Sequence, residues 1–299
     1  MEKKPYFGKI VLYVLGSLIL LFTLIYLGVT AVYCRFFMGA ESKFLVPGLD
    51  SPFVQQGLDF VQEKNLYLVS GYMDDGTASR IYIRENGGDV RFVELKDTTG
   101  GDYSLQCGGI CHNGRYVYVA GKGGLEVFTL DDILDGGNAT VIGRIETGFD
   151  VGYCAFYEGY LLAGQENAGP IAVFQSGDGG VFGITRPVAA IAAPENVRGV
   201  CVTGRDELAL SSSEGWGSSQ LSYYSVATVA AERTVLVGVE VPLVSLQATH
   251  QVSMPPMARE IHCRDGQVYV MFESAADKNF FGQFIRGYQV FAYEREGEN

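Results

Sequence analysis

The sequence predicts an all-β protein, a five-bladed β-propeller preceded by a single transmembrane α-helix. Three observations carry this expectation. A hairpin signature recurs five times along the chain, and an uncharged apolar stretch lies near the N-terminus. Glycine supplies 39 of 299 residues, above the usual ~7%, as a fold with many tight turns requires.

Each copy of the signature opens with a short apolar run, passes a polar turn and returns as a second apolar strand. The openings are Gly57-Leu58-Asp59-Phe60, Gly109-Ile110-Cys111-His112, Gly152-Tyr153-Cys154-Ala155, Gly199-Val200-Cys201-Val202 and Glu260-Ile261-His262-Cys263. Turns such as Asn113-Gly114 and Asp265-Gly266 favour the positive φ angles of tight hairpins. The openings are separated by 52, 43, 47 and 61 residues, near the forty-odd residues of a four-stranded blade. Third strands are expected at 79–84, 125–130, 171–175, 220–226 and 288–293, with outer strands at 90–96, 140–146, 188–192 and 234–239. The last copy lacks an outer strand of its own, and residues 43–46 are the candidate to pair there and close the ring. Closure removes sheet edges that otherwise invite aggregation. Residues 241–256, with Pro242, Pro255 and Pro256, read as a connection. A two-layer sandwich is the competing arrangement for strands of this kind.

Residues 10–34 carry no charge. As a helix, that length reaches ~37 Å, more than the ~30 Å of a bilayer's hydrocarbon. It also exceeds the 7–15-residue apolar core of a cleaved signal peptide, although Val29-Thr30-Ala31 is a passable cleavage site. Lys3, Lys4 and Lys9 precede it, which predicts a cytoplasmic N-terminus and an extracytoplasmic C-terminal domain at the cell membrane. The expected organisation is therefore a cytoplasmic segment 1–9, a signal-anchor helix 10–34, a connector 35–55 and a propeller domain 56–299.

Net charge is −12, with +3 in residues 1–43 and −15 in the remainder. So acidic a domain repels a phosphate backbone, so nucleic acid is not an expected partner. Cys111, Cys154 and Cys201 occupy equivalent places in successive repeats and read as small buried thiols. With Asp59 and His262 at the same register they are also zinc-ligand types, but they lack chelating spacing. The neighbours Cys111-His112 and His262-Cys263 point to opposite sides of their strands, so neither pair forms a dyad by itself. The sequence has no Gly-x-Ser-x-Gly elbow, P-loop or dinucleotide glycine pattern.

In a propeller, the loops entering each innermost strand share one face with those joining second to third strands. Tyr72, Glu166, Arg198, Glu214, Trp216, Arg259, Glu260, Glu273 and Ser274 would then surround the channel mouth, a natural binding concavity. Tyr72 and Trp216 are expected to stack on a ligand, Arg198 and Arg259 to contact anionic groups, and the glutamates to accept hydroxyls.

Several segments carry a resemblance. Pro255-Pro256-Met257-Ala258-Arg259-Glu260-Ile261 followed by Val268-Tyr269-Val270-Met271-Phe272-Glu273-Ser274-Ala275 resembles the last blade of bacterial membrane-anchored, extracytoplasmic β-propeller proteins that have no assigned activity. Gly57-Leu58 with Ser70-Gly71-Tyr72-Met73, and Cys107-Gly108-Gly109-Ile110, resemble their early blades. The likeness covers roughly residues 55–295 and implies a fold and a cell-surface setting. Those proteins carry an acidic residue where Arg259 stands here, so mouth chemistry does not transfer.

The expected function is a non-enzymatic, membrane-tethered binding module for a small molecule, a glycan or an envelope protein, with no cofactor. The alternative is a metal-assisted hydrolase or lactonase in which Glu166, Glu214, Glu260 and Glu273 hold a divalent ion, calcium or zinc, at the channel mouth.

Overall fold

The computed structural model describes residues 6–226, 232–285 and 287–295. Helix α1 (Tyr6–Val32) is followed, after a break at Tyr33, by the short helix α2 (Cys34–Gly39). From Gly8 to Val32 α1 is long and apolar enough to cross a membrane, and its most apolar stretch is nowhere buried against the protein. The five predicted blades follow.

Blade one comprises Phe53–Val61, Leu66–Met73, Arg80–Glu85 and Val90–Lys96; blade two Ile110–His112, Tyr116–Gly121, Gly124–Thr129 and Gly143–Glu146. Blade three is built from Tyr153–Tyr157, Tyr160–Gly164, Ile171–Val181 and Ile184–Ile191. Blade four consists of Val197–Gly204, Glu207–Ser212, Ser219–Val226 and Leu246–Met254. In blade five, Ala258–Arg264, Gln267–Phe272 and Gln289–Tyr293 are joined on the outside by Ala40–Leu45 from the start of the chain. Ala40 pairs with Tyr293 and Leu45 with Gln289, antiparallel. Both ends of the chain thus complete one sheet.

Two sheets carry additions that the sequence assigned differently. The expected outer strand at 140–146 is divided. Gly137–Thr140 lies parallel to Val90–Lys96 on blade one, and only Gly143–Glu146 edges blade two. The stretch expected as blade four's outer strand, 234–239, instead forms a hairpin, Arg233–Leu236 with Val239–Val244, on the edge of blade three. Blade four is edged by Leu246–Met254, within the segment read as a connection. The physical reason is apolar burial. Leu236 and Val241 turn into the core between blades two and three, whereas Val252 and Met254 fill the core between blades four and five.

The core is five inter-blade layers rather than one centre. Leu68, Ile81, Val93 and Leu95 of blade one meet Val117, Val119 and Phe128 of blade two. Blades five and one enclose Phe44, Phe53, Tyr67, Met271 and Val290. Valine and tyrosine suit these half-buried pleated faces.

The connector is not a loose linker. Phe36 of α2 is fully buried between blades four and five. It stacks on Tyr293 at 5.6 Å and meets Phe272 and Phe291 edge-on at 6.1 and 5.8 Å. Tyr33, also buried, places its hydroxyl 3.0 Å from Ser218 Oγ. Replacing a buried aromatic by alanine costs about 3–5 kcal/mol. Phe36→Ala is therefore expected to lower the thermal unfolding midpoint by several degrees. Met38→Ala, on the exposed side of α2, is expected to leave it unchanged. Circular dichroism melts of the two proteins in detergent check this.

Candidate functional site

The channel is organised at its centre by one carboxylate. Four of the five repeat openings place glycine at the axis, and the fifth places Glu260. Its side chain is 1% exposed. Oε2 accepts hydrogen bonds from Ile110 N at 2.6 Å and Leu58 N at 3.1 Å; Oε1 accepts one from Cys154 N at 2.9 Å. One residue of blade five therefore binds the innermost strands of blades one, two and three. The glycines make this possible. A Cβ on Gly109 would sit 2.3 Å from Glu260 Oε1, and one on Gly57 would sit 2.9 Å from Oε2. Burial pushes the Glu260 carboxyl well above the usual range, against the pull of the three amide donors.

On the mouth side of this plug lies an ion network. The Arg259 guanidinium donates to Glu166 and, through Nε at 2.6 Å and through Nη2, to Glu273. Arg198 Nη1 is 2.6 Å from Glu166 Oε1, while its Nε donates to the Ser213 carbonyl at 3.1 Å. Lys278 Nζ contacts Glu273 Oε1 at 2.7 Å and also donates to the Tyr72 hydroxyl. Burial pushes Glu273 upward, but Arg259 and Lys278 outweigh it and hold the carboxyl below its usual range. Burial likewise opposes a charged Arg259, and Glu273 and Glu166 overcome it.

Two cavities open here. One of about 300 Å³ is lined by residues including Gln106, Glu166, Arg198, Arg259 and Glu273. The other, of about 490 Å³, shares Gln106, Glu166 and Asn167 and extends past Lys122 and Asp150. The structure thus brings together Glu166, Arg198, Arg259 and Glu273, and links Tyr72 to them through Lys278. Glu214 and Trp216 stand exposed on a rim loop and line neither cavity. Ser274 is fully buried, with Gly287 packed against its hydroxyl. Glu260 lies below the mouth, in the plug.

Lys278 and Gln106 also take part in the mouth. The sequence places Lys278 there, in the loop joining the second and third strands of the last repeat, but gives Gln106 no signal that separates it from an ordinary polar loop residue. Gln56, in the bulge beside Gly57, is 1% exposed and finds no protein partner for either side-chain polar atom; the Ser70 hydroxyl is in the same condition. Buried polar groups of this kind are normally satisfied by ordered water or ligand atoms.

The opposite end of the channel holds a second polar cluster. Asp59, 4% exposed, accepts from His112 Nδ1 at 2.6 Å and lies 3.1 Å from His262 Nδ1. The two histidines come from blades two and five, so only the closed ring unites them. Burial disfavours the Asp59 carboxylate, but the histidines reverse this and hold it well below its usual range. Burial also works against a charged His112, and Asp59 again wins, raising the imidazole. The neighbouring thiols are inert by the same physics. Burial pushes Cys111 up to about 11 and Cys154 well above its ordinary value. All six cysteines are unpaired thiols. Among the described residues, no group of three or more His, Cys, Asp or Glu side chains is arranged to hold a metal ion.

No protein-family profile and no curated protein sequence matches the chain. Solved structures do match. A glutaminyl cyclase from Myxococcus xanthus is 13% identical, with a TM-score of 0.48 over 85% of this chain and 94% of that one. The WD40 β-propeller domain of Doa1 is 12% identical, with a TM-score of 0.43 over 86% and 98%. A putative 6-phosphogluconolactonase from Bacteroides uniformis is 16% identical, with a TM-score of 0.43 over 72% and 63%.

Two expected outcomes follow from the channel. Glu260→Gln leaves one acceptor oxygen for three amides, and each buried donor left unmet costs about 1–3 kcal/mol. Urea titration should show a corresponding loss, and a larger one for Glu260→Ala. At the other end, the Asp59 contribution is present above the unfolded carboxyl pKa and is lost only in strong acid. The His112 contribution is present below ~6.5 and is lost as pH rises through its raised folded value. The stability difference between wild type and Asp59→Asn should therefore be larger at pH 5.5 than at pH 8.5, read as thermal midpoints at both pH values.

Proposed function

We propose that the protein is a membrane-tethered binding module. In this reading α1 holds the propeller at the cell membrane with Lys3, Lys4 and Lys9 on the cytoplasmic side, and the channel mouth takes an extracytoplasmic small molecule, glycan or envelope protein. The observation that carries it is the arginine pair at the mouth. Arg198 and Arg259 share the Glu166 carboxylate on the wall of a cavity, so both guanidinium groups are held in place before any ligand arrives. Preorganised charged donors lose little entropy on binding, which favours recognition of a carboxylate, phosphate or polyhydroxyl group.

The binding reading accounts for Glu166 and Glu273 better than the hydrolase reading does. An ion held at the mouth would need those carboxylates free, and both are turned onto Arg259.

A thermal-shift screen of anionic metabolites and glycans against the full chain in detergent tests the proposal. The expected result is a stabilising ligand class whose affinity falls about 10-fold or more in Arg198→Ala, as loss of a charged hydrogen bond requires. Hits indifferent to Arg198→Ala, or stoichiometric retention of a divalent ion together with esterase turnover, would overturn it.

A further inference from the structure

We infer that the channel mouth faces the bilayer, with the mouth-side rim of blade four seated in the headgroup layer. The inference rests on the reading of α1 as a membrane span and adds an orientation to it.

The route of the chain fixes the geometry. The loop that holds Ser218 joins the second and third strands of blade four, so it belongs to the mouth face. Tyr33, one residue past the end of α1, reaches that loop through its hydroxyl. Helix α1 also lies against Asp277–Ile285, the corresponding connection of blade five. Val29 and Thr30 are partly covered, and most of the surface of residues 8–28 stays open. The helix therefore meets the propeller on the mouth-side rim. From Tyr33 the chain descends through α2, and Ala40–Leu45 climbs back along blade five.

A flexible stalk between span and domain would leave the orientation free. No such stalk exists here. Tyr33 and Phe36 are both buried in the propeller within four residues of the end of α1, so the span and the mouth face are rigidly coupled.

The side chains at that level suit the interface. Trp216, two residues from Ser218, is 52% exposed in a loop flanked by Gly215 and Gly217. Tryptophan and tyrosine concentrate at membrane–water boundaries, where an amphipathic ring is half dry and half wet. Trp216 lines neither mouth cavity. An exposed indole beside the exit of an apolar helix is explained by lipid contact. Across the mouth, Leu105 is also exposed. A ligand reaching Arg198 and Arg259 would then approach along the membrane surface.

Trp216 is the only tryptophan in the chain, so its fluorescence reports the orientation directly. The full chain is reconstituted into phosphatidylcholine vesicles in which part of the lipid carries bromine near the headgroup end of its acyl chains. Trp216 emission is expected to fall about two-fold relative to unbrominated vesicles. In a Trp216→Phe, Val181→Trp protein the reporter moves to a hairpin tip on the opposite face, 64% exposed, and no quenching is expected. If the protein floats with the vesicles but Trp216 is unquenched, or the reporter at 181 is quenched equally, the orientation is overturned while the tether stands. If the protein does not float with vesicles, the tether reading has failed and the orientation falls with it.

Discussion

The arrangement depends on one buried carboxylate. A five-bladed ring has a narrow axis, and the backbone amides of its innermost strands point into it with few partners. Glu260 answers three of them with two oxygens. A charge in that position is costly unless it is hydrogen-bonded on several sides. The glycines of blades one and two, Gly57 and Gly109, give the carboxylate room to be so, and Gly199 lets the backbone of Glu260 approach blade four.

That plug divides the channel into two ends of different chemistry. On the mouth side, arginines and glutamates interlock around Arg259 and face cavities large enough for a small ligand. On the other side, Asp59 holds two imidazoles in a confined space of about 40 Å³. Burial works against charge at both ends, and at both ends partners of opposite sign prevail: Glu273 of the same blade and Glu166 of blade three for Arg259, and histidines of blades two and five for Asp59. The blades are therefore joined by polar contacts at the axis as well as by apolar layers further out.

Closure at the periphery has a consequence for the whole molecule. Because Ala40–Leu45 completes blade five, the chain leading to α1 must run along the outside of that blade. Phe36 then locks it into the layer between blades four and five. A strand that removes a sheet edge also makes the apolar helix a fixed part of the propeller rim. Closure of the ring and the placement of α1 beside the mouth are set by the same few residues.

The class of fold, the blade count and the apolar helix are legible in the order of residues alone. Each is written in local patterns: hairpin turns such as Asn113-Gly114, alternating strands, and an unbroken uncharged run. The sequence also exposed Glu260 as the odd residue among four glycines, without revealing what that substitution does. Tertiary structure alone decided the rest. Residues 234–239, expected on blade four, joined the edge of blade three, where Leu236 is buried in the layer between blades two and three. Asp59, His112 and His262 met only because the ring closed, and Ser274 went inside while Arg259 found two glutamates. These outcomes depend on contacts between blades far apart in the chain, and local periodicity cannot encode which distant partner a side chain will reach.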